Sequence, residues 1–160
     1  MNKIAMPLLA IAATIAMAIP ANAADEYNAA PGLTAAGAPL GLHGVDPVAF
    51  IEIGNRVEGT AEFTAVHDGV AYYFSTRANM NAFRRAPEKF LPAYGGFCTF
   101  GVSVAKKFDG DPQFADVHNG KLYVFLNEEI FRMYQKDKTG TIAKAESNWA
   151  KIQHAPSREL

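Results

Sequence analysis

One thiol and four imidazoles have the greatest scope for chemistry in this chain: Cys98, His43, His67, His118 and His154. A lone cysteine cannot close an intramolecular disulfide, so Cys98 is a packed small apolar residue, a reactive thiol, a metal ligand or an intermolecular partner. Reactivity needs a lowered pKa, which a cation, a helix N-terminus or a histidine supplies, and none of these adjoins Cys98 in sequence. His67 and His118 stand at equivalent places in a repeat. Residues 66–74 read VHDGVAYYF and residues 117–125 read VHNGKLYVF, 51 positions apart. If the two copies pack about a pseudo-two-fold axis, both imidazoles face Cys98, and thiolate with imidazole suits copper or zinc. The expected metal set is therefore Cys98, His67 and His118. Asp109-Gly110-Asp111 with Asp116 resembles part of a calcium loop but lacks the full spacing and the terminal Glu, and it reads as a solvated turn. His154 falls in a polar tail, residues 153–160, and reads as a solvent residue.

The elements that must position these groups follow from the repeat. Asp68-Gly69 and Asn119-Gly120 are the preferred central pairs of type I′ hairpins, where both positions need positive φ. A two-residue loop pairs His67 with Val70, Ala65 with Tyr72 and Phe63 with Phe74. In the second copy it pairs His118 with Lys121, Asp116 with Tyr123 and Phe114 with Phe125. Each hairpin runs into a helix. Ser75 is the expected N-cap of a helix over about 76–85 that buries Met80 and Phe83 and stops at Pro87. Asn127 caps another, with Ile130, Met133 and Tyr134 on one side and Gly140 at its end. A last helix over about 142–152 carries Ile142, Ala145, Trp149 and Ile152 at helical spacing. Residues 48–53, closed by Gly54-Asn55, read as a first strand. Gly95, Gly96 and Gly101 surround Cys98 and permit close backbone approach. The expectation is one small α+β domain of two β-hairpin–helix units with a C-terminal helix.

Composition bounds the function. With 160 residues, 49% apolar, 19% charged and a net charge of −1, the chain is neither disordered nor a polybasic nucleic-acid binder. Residues 1–23 read as a signal peptide: Lys3 is their only charge, an apolar run extends from Ile4 to Ile19, and Ala21-Asn22-Ala23 forms a cleavage site. That run is shorter than the ~20 residues that span a bilayer. The mature chain is then expected in the periplasm or secreted, without a membrane span. Residues 24–41, rich in Ala, Gly and Pro, read as a tether or loosely docked arm before a domain over residues 42–152. Nucleophile-elbow, phosphate-cradling, paired-cysteine and helical zinc-protease motifs are absent, so the reading leans away from an enzyme. After the leader only Met80 and Met133 are left, too few for a Met-rich copper carrier.

Asp46-Pro47-Val48-Ala49-Phe50, the hairpin ending Tyr72-Tyr73-Phe74-Ser75, then Asn79, Phe83, Pro87-Glu88-Lys89-Phe90 and Tyr94-Gly95-Gly96-Phe97-Cys98, form a pattern that resembles the YHS domain family. The chain is similar in particular to secreted bacterial YHS-domain proteins, some of which carry selenocysteine. Gly120-Lys121-Leu122-Tyr123, Ile142-Ala143-Lys144-Ala145 and Asn148-Trp149 continue the likeness, which covers about residues 40–152. It implies a small α+β module of the kind found in metal-handling settings such as heavy-metal transport ATPases and some oxygenase subunits. The metal-binding pattern of that family has cysteines where this chain has Ala49, Ser75 and Asn79. A soft-metal site here would have to be rebuilt around Cys98 with His67 or His118, or be shared between two chains. Two other functions stand beside copper or zinc binding: a thiol-redox protein using Cys98, and a non-catalytic interaction domain with a periplasmic protein partner.

Overall fold

The computed structural model describes residues 23–160. The signal peptide expected over residues 1–23 lies, except for its last residue, outside the described residues. Among the described residues no helix is long and apolar enough to cross a membrane.

A helical turn, α1 (Ala23–Glu26), opens the described chain. The first globular element is a helix, α2 (Pro47–Ile53), where residues 48–53 had the look of a strand. The β-branched and aromatic run there is overridden by its start: the Asp46 carboxylate caps the amides of Val48 and Ala49, and Pro47 pre-sets the first helical φ.

Two hairpins follow the repeat. Strand β1 (Thr60–His67) pairs with β2 (Val70–Phe74) and β3 (Asp111–His118) with β4 (Lys121–Phe125), as two separate two-stranded antiparallel sheets. The turn residues Asp68, Gly69, Asn119 and Gly120 have φ of 46°, 78°, 51° and 74°, as type I′ turns require. His67 pairs with Val70 and Ala65 with Tyr72, and His118 with Lys121 and Asp116 with Tyr123. The expected Phe63–Phe74 and Phe114–Phe125 pairs do not form. An irregularity between Thr60 and Thr64 sets Phe74 opposite Thr60, and its copy sets Phe125 opposite Asp111.

Helix α3 (Arg77–Arg85) is capped by Thr76 rather than Ser75, because the Ser75 hydroxyl and amide are both given to Asp46. A short α4 (Pro87–Phe90) and then α5 (Thr99–Ser103) lead to the second hairpin. Asn127 caps α6 (Glu128–Lys136) as expected. Gly140 does not end that helix. Asp137 does, and its side chain accepts from the Gly140 amide to start α7 (Lys138–Ile152), four residues earlier than the apolar stripe indicated. The result is the expected α+β domain with a C-terminal helix.

One side of the core gathers Val48, Tyr72, Phe74, Met80, Phe83 and Phe90 under the first hairpin. Leu42, Val45 and Phe50 pack against Leu122 and Val124 of the second, joining the two units. Val102 on α5 meets Ala145 and Ile152 on α7 beside Tyr94 and Phe97.

Neither end of the described chain is loose. The arm at residues 24–41 is docked: the Asn28 amide donates to Gly95 O at 2.9 Å, and Leu40 bridges Ala71. Gly95, at φ +63°, lets it in, since a Cβ there would run into the Glu26 carbonyl. The tail is held too. Buried Lys107 donates to Asp25 O at 2.6 Å, Ala155 O at 2.7 Å and Gln153 O at 2.9 Å, so one ammonium clasps both ends of the described chain. Its charge rests 5.2 Å from the Phe97 ring and 5.3 Å from that of Trp149.

Candidate functional site

Cys98 is 1% exposed. It sits at a helix start that adjacent residues did not reveal, as N-cap of the five-residue α5, and its Sγ accepts from the Gly101 amide at 3.5 Å. A second amide, that of Leu126 just after β4, donates to the same sulfur at 3.3 Å. Phe125 and Tyr134 pack with Cys98, with Phe100, Phe114 and Ile142 at the edge of the cluster. Burial pushes the thiol above its ordinary value, and the Asp109 carboxylate adds to this, against the opposing donations of the Gly101, Leu126 and Phe100 amides. The balance favours the neutral thiol, the less nucleophilic and less metal-seeking form.

Asp46 stands in the other unit in the same way. It caps α2, while the amide of Ser75, just after β2, donates to its Oδ2 at 2.8 Å. Ser75 and Leu126 are equivalent at the repeat offset, and Asp46 and Cys98, 52 positions apart, are counterparts by role, each capping a short helix and tying it to the end of a hairpin. The carboxylate does more than the thiol: the Ser75 hydroxyl donates to it at 2.7 Å and the Asn79 amide group at 2.7 Å. Ala49, Ser75 and Asn79 therefore all converge on Asp46. Both polar side chains donate to that carboxylate, the Asn79 amide group also reaching Ser75 Oγ at 3.4 Å, and Ala49 offers no side-chain ligand atom.

The two repeat histidines have other surroundings. His67 stands edge-on to Phe83, with ring centroids 6.1 Å apart, and its Nε2 is buried without a hydrogen-bond partner, 3.4 Å from Glu88 Oε1 and 3.5 Å from Asp68 Oδ2. His118 ends β3, half-buried opposite Lys121. Among the described residues no three His, Cys, Asp or Glu side chains are placed to hold one metal ion. Cys98, His67 and His118 accordingly form no such group among the described residues. His154 is exposed as expected, and its Nδ1 lies 2.6 Å from Glu26 of the docked arm.

Sequence reasoning left His43 without a partner and took Asp109 as part of a solvated turn. They meet, His43 Nε2 to Asp109 Oδ1 at 3.0 Å, and Asn28 Nδ2 donates to the same oxygen at 2.7 Å. Burial raises the Asp109 pKa, but hydrogen bonds from Asn28 and His43 and the imidazole's charge outweigh it and hold the carboxyl below its ordinary value. Asp109 lies 66 positions from His43 and 81 from Asn28, so no local spacing marked the cluster.

No family model, curated protein or solved structure matches the chain.

Proposed function

We propose that the chain is a non-catalytic, YHS-like interaction module working outside the cytoplasm, in which Cys98 is an internal helix cap. The observation that carries this reading is the equivalence of Cys98 and Asp46: the sulfur is buried and already accepts two amides at the place where its counterpart is a structural carboxylate. The leader read over residues 1–23 supports export.

A soft-metal role keeps one favourable observation, the unpartnered Nε2 of His67 between two carboxylates. Alkylation separates the readings. The mature chain is treated with iodoacetamide under reducing conditions, with and without one equivalent of Cu(I) or Zn(II), and read by mass spectrometry. Negligible labelling of Cys98 until denaturant is added is expected. Fast labelling that the metal blocks would replace this reading with the metal one, and fast labelling indifferent to metal would replace it with a redox thiol.

A further inference from the structure

We propose that the recess beside His43 and Asp109 binds a small ligand with a primary ammonium head. It encloses about 230 Å³ and is lined by Asn28, Ala29, Ala30, Pro31, His43 and Asp109. No lysine or arginine lines it, so Asp109 gives the recess its charge. Asn28 and His43 both engage Oδ1, and no other side chain among the described residues donates to this carboxylate. Whenever the imidazole is neutral with its Nε2 proton directed at Asp109, Nδ1 of His43 is left as an acceptor, and no described residue donates to it. One anion and one neutral acceptor suit a head that is cationic and carries several N–H donors. A quaternary ammonium has no N–H, and the recess has no aromatic ring to hold one by its face. An anion would meet the carboxylate unfavourably. Ala29, Ala30 and Pro31 supply an apolar wall for a short aliphatic body.

The site is rigidly prepared. Leu42, His43 and Gly44 take successive φ values of 49°, 50° and 83°, a left-handed run that two of the three residue types adopt only under constraint. Gly110 packs so closely on Gly96 O and Val124 that a Cβ has no room, which fixes the backbone beside Asp109. Asn28 is held twice, its amide on Gly95 O at 2.9 Å and its side chain on Gly96 O at 3.1 Å.

This inference does not depend on the role of Cys98, so it stands or falls apart from the reading above. The test is an amide chemical-shift titration of the mature chain with propylammonium chloride at constant ionic strength and about pH 8, where an ordinary imidazole is neutral. Saturable shifts at residues 28–31, 43 and 109 are expected, and propan-1-ol should not reproduce them. Asp109→Asn should weaken binding about tenfold or more. Ala30→Leu, which fills the recess and leaves the charges alone, should abolish the shifts while the rest of the spectrum is kept. Absence of saturable shifts in the unmodified chain would overturn the proposal, and so would binding unchanged by Ala30→Leu or matched by the alcohol.

Discussion

Asp46 is fully buried, and its carboxyl oxygens accept from the amides of Val48, Ala49 and Ser75, the Ser75 hydroxyl and the Asn79 side chain. Removing the carboxylate takes the acceptor from five donors, two in buried bonds and three in part-buried ones, so Asp46→Ala should cost about 3 kcal/mol, read as a shift in the urea unfolding midpoint. Cys98 holds the corresponding place with a weaker acceptor. Cys98→Ala loses one cap and one long-range acceptor and leaves a small void, and about 2 kcal/mol is the expected loss in the same measurement. Cys98→Ser keeps a good N-cap type and should retain most of that stability. A thiol could be found in the sequence, but its burial could not, since the amide of Leu126 reaches it from 28 residues away.

The hairpin–helix unit is where local rules succeeded. Turn pairs that need positive φ, an Asx or Thr cap and one apolar helix face recur in both copies, and β1–β2–α3 and β3–β4–α6 match in length, bulge position and cap. Local rules failed where a side chain was claimed from outside. Ser75 lost its cap role to Asp46, and a strand-like run became α2 because of that same carboxylate. The second unit has its own tie, Asp116, which accepts from Tyr134 Oη and from Lys138 Nζ, each at 2.8 Å, and so links β3 to α6 and α7. Burial works to raise the Asp116 pKa, but these donors and the Lys138 charge outweigh it and leave the carboxyl below its ordinary value. A carboxylate with a depressed folded-state pKa stabilises the fold above its unfolded value, and that contribution disappears as pH falls through the folded value. Stability should therefore drop on acidification below about pH 4. Asp116→Asn should lower the urea midpoint at about pH 7 and flatten its fall toward about pH 3.

Across the whole molecule, Lys107 and Gly95 convert a Gly/Ala/Pro-rich arm and a polar tail into parts of one body. Burial holds the Lys107 pKa below its ordinary value, although the Asp25 and Glu26 charges favour the ammonium. Lys107→Met keeps the aliphatic length but removes the donor shared by three carbonyls. It should free both ends, seen as faster amide exchange over residues 25–41 and 153–160 with the hairpins still protected. Gly95→Ala should release the arm alone, because the new methyl meets the Glu26 carbonyl and φ is positive there. Low complexity indicated a tether or a loosely docked arm for a sound local reason, the absence of any apolar period, and which of the two forms is decided by partners elsewhere in the chain. The sequence by itself determined the α+β class, both hairpin turns, the repeat and most of the helices, because these rest on φ preferences, caps and periodicity within a few residues. Only the tertiary structure decided that Cys98 is an interior cap, that His67 and His118 lie in separate surroundings, and that Asn28, His43 and Asp109 form one cluster. Such meetings depend on how distant segments pack, and no spacing along the chain encodes that on its own.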